Sequence, residues 1–156
     1  MKEEGQRRNI GEIASDSYRK KQFERSMERT DPKSAQGGNL EDRLVELAVQ
    51  VVRMTEGMPP TPAGRYYGGQ LLRSTGSAAL NYGEAQGGET HRDFTHKLKL
   101  VRKEIRESNL CMRVIAGAQL HPDKDLLTRV GNEVRELLAI FTAAVRTAEK
   151  RSARKE

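Results

Sequence analysis

Tryptophan is absent from these 156 residues, three Phe and four Tyr are the only aromatic side chains, and a single cysteine stands alone. Each shortage excludes something. One thiol, Cys111, rules out an intramolecular disulfide and fits a reducing compartment; its place between Leu110 and Met112 reads as packing. With aromatics at 4%, a core must be built from Leu, Val, Ile, Ala and Met, which suits helices better than strands. No uninterrupted apolar run approaches the roughly 18 residues of a bilayer span, and the N-terminus has no apolar stretch of the signal-peptide kind. The expectation is a cytoplasmic protein with no membrane partner.

Two further shortages bear on chemistry. His91 and His96 are five residues apart, on different faces of a helix, and His121 falls in an expected loop, so the three histidines make no metal site and read as neutral surface residues. The run Gly64-Arg65-Tyr66-Tyr67-Gly68-Gly69 fits neither phosphate-cradling glycine pattern and follows no strand. Its glycines read as points of close helix packing. Tyr66 and Tyr67 could stack on bases, but a mostly buried Tyr67 beside Leu71 is the preferred reading. Nothing calls for a cofactor.

What the chain has in quantity is charge, at 32% of residues, with 28 Lys and Arg against 22 Asp and Glu. The net charge of +6 and a sequence pI near 9.6 favour an acidic partner, nucleic acid first; the plain alternative is solubility. The length fits one domain. Residues 1–38 hold few large apolar side chains and many alternating charges, and read as an extension outside the fold, partly helical at most. From 39 to 150 the pattern predicts four amphipathic helices. The first is capped by Asn39 and runs from Leu40 to near Gly57. The second is capped by Thr61 with Pro62 in its first turn and ends at Gln86 before Gly87-Gly88. The third, expected to be the longest, follows Thr90, and the fourth follows His121-Pro122-Asp123. Residues 151–156 read as a basic tail. Short loops between such helices predict an all-α, up-and-down four-helix bundle.

Two helical stripes stand out. In the second helix, Gln70, Ser74, Ser77, Asn81 and Glu84 recur at spacings of four and three beside an apolar seam of Leu71, Thr75, Ala78 and Tyr82. Small hydroxyls, amides and a carboxylate in that place suit a close, hydrogen-bonded helix contact. Gln70, Arg73, Ser77, Asn81, Glu84 and Glu107 are therefore expected to form a structural polar network, with Arg73 as counter-ion to a glutamate. In the third helix, Arg92, Lys99, Arg102, Lys103, Arg106 and Arg113 fall within an arc of about 100° that contains no acid. The stripe is roughly 33 Å long at about 1.5 Å per residue. With Lys150 and Arg151 it is the expected nucleic-acid-binding surface, contacting phosphates without reading sequence. The alternative is an ordinary solvated face.

The second-helix residues carry a resemblance. Gln70-Leu71-Leu72-Arg73-Ser74, followed by Ser77-Ala78-Ala79-Leu80-Asn81-Tyr82-Gly83-Glu84-Ala85, resembles the signature Q-L-x-R-A-x-x-S-I-x-x-N-I-A-E-G. That signature belongs to four-helix-bundle proteins related to those encoded in ribosomal RNA intervening sequences. Lys103-Glu104-Ile105-Arg106-Glu107-Ser108 and Met112-Arg113-Val114-Ile115 are similar to the pattern around the third-helix glutamate of the same family, which includes the accessory variability determinant of diversity-generating retroelements. The resemblance spans about residues 40–147. It implies a barrel-shaped homopentamer that binds nucleic acid and partners a reverse transcriptase or another protein.

The leading expectation is thus a non-enzymatic, homo-oligomeric, nucleic-acid-binding bundle. A structural adaptor that presents residues 1–38 to a protein partner is the alternative. An enzyme built on Glu84 and Glu107 is disfavoured, since neither has a His, Cys or metal-ligand companion at useful spacing, and no catalytic residue is assigned.

Overall fold

The computed structural model describes residues 40–153. The expected extension over 1–38, the expected cap at Asn39 and the last three residues of the tail lie outside them. The chain forms helices α1 (Leu40–Glu56), α2 (Pro62–Gln86), α3 (His91–Gly117) and α4 (Lys124–Ala153), with no strand among the described residues. Consecutive helices pack as neighbours and α4 returns to α1, while the diagonal pairs make no close backbone approach. This is the all-α, up-and-down four-helix bundle that the periodicity predicts.

Local signals set the helix starts. Thr61, in an extended conformation, accepts a hydrogen bond from the Gly64 N–H at 3.1 Å, and Pro62 occupies the first helical turn. Thr90 does the same for α3, accepting from the Asp93 N–H at 3.1 Å. Asp123 opens α4 by accepting from the Leu126 N–H at 2.9 Å.

The apolar faces then meet. Leu44, Leu47 and Val51 of α1, Leu71, Ala78 and Tyr82 of α2, Val101, Ile105 and Ile115 of α3, and Val130, Val134, Leu137 and Phe141 of α4 form one buried cluster. The two largest aromatics within it, Tyr82 and Phe141, meet edge to face with centroids 5.4 Å apart. Cys111 is buried, and desolvation pushes its thiol above the ordinary value. Tyr67 packs against the cluster, half-buried, and holds the exposed Tyr66 ring in edge contact at 5.1 Å. At the α1–α4 seam, Arg43 makes a forked pair with Glu133, at 2.8 and 3.0 Å, and reaches Glu136 at 3.2 Å.

Two expectations are corrected. Helix α4, with 30 residues, exceeds α3, with 27. Val145 and Ala148 carry its buried seam almost to the end, so the helix runs through Lys150 and Arg151 into the stretch set apart as a tail. The histidines are not all on the surface. His121 is buried at the α3–α4 turn, where its Nδ1 accepts from the Asp123 N–H at 3.1 Å. His91 is half-buried, with Nε2 at 3.1 Å from the Ala148 carbonyl oxygen. His121 satisfies a backbone N–H left free by the α3–α4 loop, and His91 ties the start of α3 to the last turns of α4.

The α1–α2 turn is closely fitted at Gly64, where a Cβ would stand 2.1 Å from the Pro59 carbonyl oxygen. Gly64→Ala is expected to destabilise the protein by roughly 1–3 kcal/mol, read as a lower denaturant midpoint at unchanged slope.

Candidate nucleic-acid interface

Small side chains line the contact between α2 and α3. Ser74 and Ser108 are fully buried, and their hydroxyls meet at 2.7 Å across the helices. Each also lies near a carbonyl of its own helix, Leu71 at 3.2 Å for Ser74 and Glu104 at 3.0 Å for Ser108. Two hydroxyl protons serve three contacts, so one hydroxyl donates across the seam and the other to its own backbone.

Glu104 has a side chain only 10% exposed and is met by Arg73 at 3.3 Å. The same guanidinium binds Glu107, and its Nε donates to Gln70 Oε1 at 3.2 Å. Hydrogen bonding to Glu107, reinforced by the charge of both glutamates, outweighs desolvation and raises Arg73 above its ordinary pKa.

Of the six residues expected in one network, Gln70, Arg73 and Glu107 are brought together. Asn81 turns back on its own helix, donating to the Ser77 carbonyl at 2.9 Å and hydroxyl at 3.2 Å. Glu84 pairs separately with Lys97 of α3. Ser74 makes the kind of cross-helix hydrogen bond expected of its stripe, but its partner Ser108 and the buried Glu104 were missed. Ser74 stood in the stripe and Ser108 closes the Lys103–Ser108 motif, so that bond was findable; a glutamate in a helix reads as surface, and Glu104 carried no such signal.

The basic arc of α3 turns outward. Arg92, Lys99, Lys103, Arg106 and Arg113 are exposed, and Arg102 is half-buried. One edge of the arc meets α4. Lys99 Nζ lies 2.9 Å from Glu149 Oε1, and Arg113 shares with Arg135 of α4 the lining of a cleft of about 220 Å³. Hydrogen bonding to Lys99, then its charge, and a smaller pull from Arg102 hold the Glu149 carboxyl below the usual carboxylate range. The exposed Arg146 lies three residues before Glu149, on the same face of α4. The cationic surface is therefore a groove between two helices, to which α4 adds Arg135 and Arg146. Sequence reading assigned neither to the surface, because only the packing of α4 against α3 shows which of its charges border the arc. Lys150 and Arg151 are exposed, but Arg151 is two residues beyond Glu149, about 200° around the helix, and is not brought to the groove.

The opposite side of the bundle is apolar. Five of the seven exposed large hydrophobics among the described residues lie on α1 and α2; the other two, Leu110 and Val114, lie on α3, and none is on α4. Leu80 is 71% exposed, Val45 51% and Leu72 41%. Glu41 of α1 lies beside Gly83 of α2, and Val45 and Val52 follow Glu41 on that edge of α1. Beside them on α2, a Cβ at Gly69 or Gly76 would meet none of the described residues within 4 Å.

Fold and surface together define a four-helix bundle with a cationic groove on one side and an apolar helix face on the other. No family model and no curated protein matches the chain. A solved structure does: a protein of unknown function from the S23 ribosomal protein family of Bacteroides thetaiotaomicron, with a TM-score of 0.62 and 20% identity, over 69% of this chain and 98% of that one. At that identity the likeness is one of fold. Among the described residues, no group of His, Cys, Asp and Glu is placed to hold a metal ion, and no helix is long and apolar enough to cross a membrane.

Arg73 tests the buried contact. Arg73→Met is expected to lower stability by about 1–3 kcal/mol, because Glu104 is left buried without its charged partner. Adding Glu104→Leu should restore part of the loss, so a double-mutant cycle by denaturant titration checks the pairing.

Proposed function

We propose that the protein is a non-enzymatic, homo-oligomeric bundle that binds nucleic acid along the α3–α4 groove and assists a nucleic-acid enzyme such as a reverse transcriptase. The observation that carries this reading is the charge of the groove. Lys99, Arg102, Arg106 and Arg113 of α3, with Arg135 and Arg146 of α4, are opposed there by Glu149. A solvated helix face ordinarily mixes signs; cations drawn from two helices into one groove match a row of phosphates. The resemblance to the intervening-sequence family supports the same reading and implies five copies.

Self-association is supported by the apolar α1–α2 face. Glycine inside a helix is destabilising by roughly 0.5–1 kcal/mol relative to Ala, and Gly69 and Gly76 fill no close contact among the described residues. With Leu72, Leu80, Val45 and Val52 around them, they leave a smooth apolar furrow of the kind that another helix covers.

Native mass by light scattering, with and without a short mixed-sequence nucleic acid at two salt concentrations, tests both parts. An oligomer that gains mass at low salt and loses it at moderate salt is the expected result. A particle indifferent to nucleic acid would overturn the binding role and favour the adaptor reading. Leu80→Glu, at a position already exposed, should reduce the native mass while leaving helicity unchanged. Glu149→Gln frees Lys99, so binding should tighten and the plot of log affinity against log salt should steepen, by about 0.7 for a single strand.

A further inference from the structure

One end of the α3–α4 groove opens into the cleft of about 220 Å³, and we infer that this cleft accepts an unpaired base of a single-stranded nucleic acid. The inference rests on the groove binding nucleic acid as proposed above, and adds which form of nucleic acid it takes. The floor of the cleft is apolar. Met112 is buried, and its Cε lies 3.9 Å from where a Cβ on Gly131 would stand. Arg113 of α3 and Arg135 of α4 flank the opening, and Asn109 and Thr128 supply an amide and a hydroxyl. Arg135 Nη1 comes to 3.9 Å from that same Gly131 position, while its Nη2 donates to Asn132 Oδ1, which steadies the guanidinium beside the glycine.

Gly131 carries the inference. A glycine weakens the helix around it, and packing does not require one here. An added Cβ would meet Arg135 and Met112 at ordinary van der Waals distance, and the backbone is not in the left-handed region. Gly64 is the contrast, since a Cβ there would strike a backbone carbonyl. What glycine leaves at 131 is a bare backbone wall of the cleft beside the Met112 side chain, where a Cβ would sit at ordinary contact distance.

Size and chemistry narrow the occupant. The cleft is smaller than the roughly 300–1,000 Å³ of most small-molecule sites, which favours a single flat group. A nucleobase has apolar faces for the Met112 floor and a guanidinium plane, and a hydrogen-bonding edge for Asn109 and Thr128. Arg106 and Arg113, two turns apart on α3, are placed for the phosphates on that strand. In a duplex the bases are paired and stacked within the helix, so only an unpaired strand can use the cleft.

Gly131→Leu fills the space, and Gly131→Ala, which fits and leaves most of it open, is the folding control. The probes are a labelled single-stranded RNA and a duplex containing the same strand, compared by anisotropy at one moderate salt concentration. Wild type should prefer the single strand; Gly131→Ala should keep the fold and weaken single-strand binding less than Gly131→Leu, which should weaken it roughly tenfold and leave the duplex unaffected. Adenosine monophosphate alone should shift the methyl signal of Met112 in a methionine-labelled sample of the wild-type protein. That readout also decides the matter if Gly131→Leu fails to fold. Duplex binding with no single-strand preference and an unmoved Met112 signal would overturn the cleft and leave the groove standing. Failure to bind either nucleic acid would overturn both.

Discussion

The close contact between α2 and α3 sets the arrangement of everything outside it. Ser74 and Ser108 are fully buried and share a hydrogen bond at 2.7 Å, which only small side chains at that level of the interface permit. With Thr75 and Ala78 also buried on α2, the two helices can approach without large side chains between them. The contact fixes the rotation of α3 about its own axis. Once Ser108 and Glu104 face α2 and Ile105 and Met112 face the core, the residues of the acid-free arc have nowhere to point but outward, with one edge against α4. Arg73 reinforces the rotation, because it holds Glu104 and Glu107 from across the seam.

The result is a molecule whose outer surfaces differ in kind. Cations from α3 and α4 collect along one groove, and most of the exposed Val and Leu side chains, Val45, Val52, Leu72 and Leu80, sit on α1 and α2. This separation matters physically. Apolar surface can be covered by another copy without burying the cations, which would be costly, and a ring of copies would then display several grooves whose fields add. Neither surface shows convergent acid, base and nucleophile among the described residues; the charge clusters off the groove, Arg73 with Glu104 and Glu107 and Arg43 with Glu133 and Glu136, are internally paired.

Much of the fold was legible from sequence because the signals for it are local. Thr61-Pro62 and Thr90 mark helix starts by their own side-chain chemistry, and the seams of Leu71, Thr75, Ala78 and Tyr82 or of Val130, Val134, Leu137 and Phe141 follow from helical geometry alone. The basic arc was legible for the same reason. Apart from the pairing of Arg73 with Glu107, features that depend on two helices at once were not. Arg135 and Arg146 acquire meaning from the packing of α4 beside α3. Glu104 is buried because Arg73 comes to it from 31 positions away, and His121 is buried because two turns meet at one end of the bundle. The six-residue network likewise separated into distinct groups, since helical spacing places residues on a face but does not say which partner reaches them.

The groove is the centre of the functional account, and photocrosslinking tests it most directly. A single-stranded RNA carrying a photoreactive base would be bound at low salt, irradiated, and its attachment sites mapped by mass spectrometry. The account predicts crosslinks concentrated in residues 99–113 and 128–146, fading as salt is raised. Crosslinks centred on α1 or on the outer face of α2, or a pattern indifferent to salt, would contradict it.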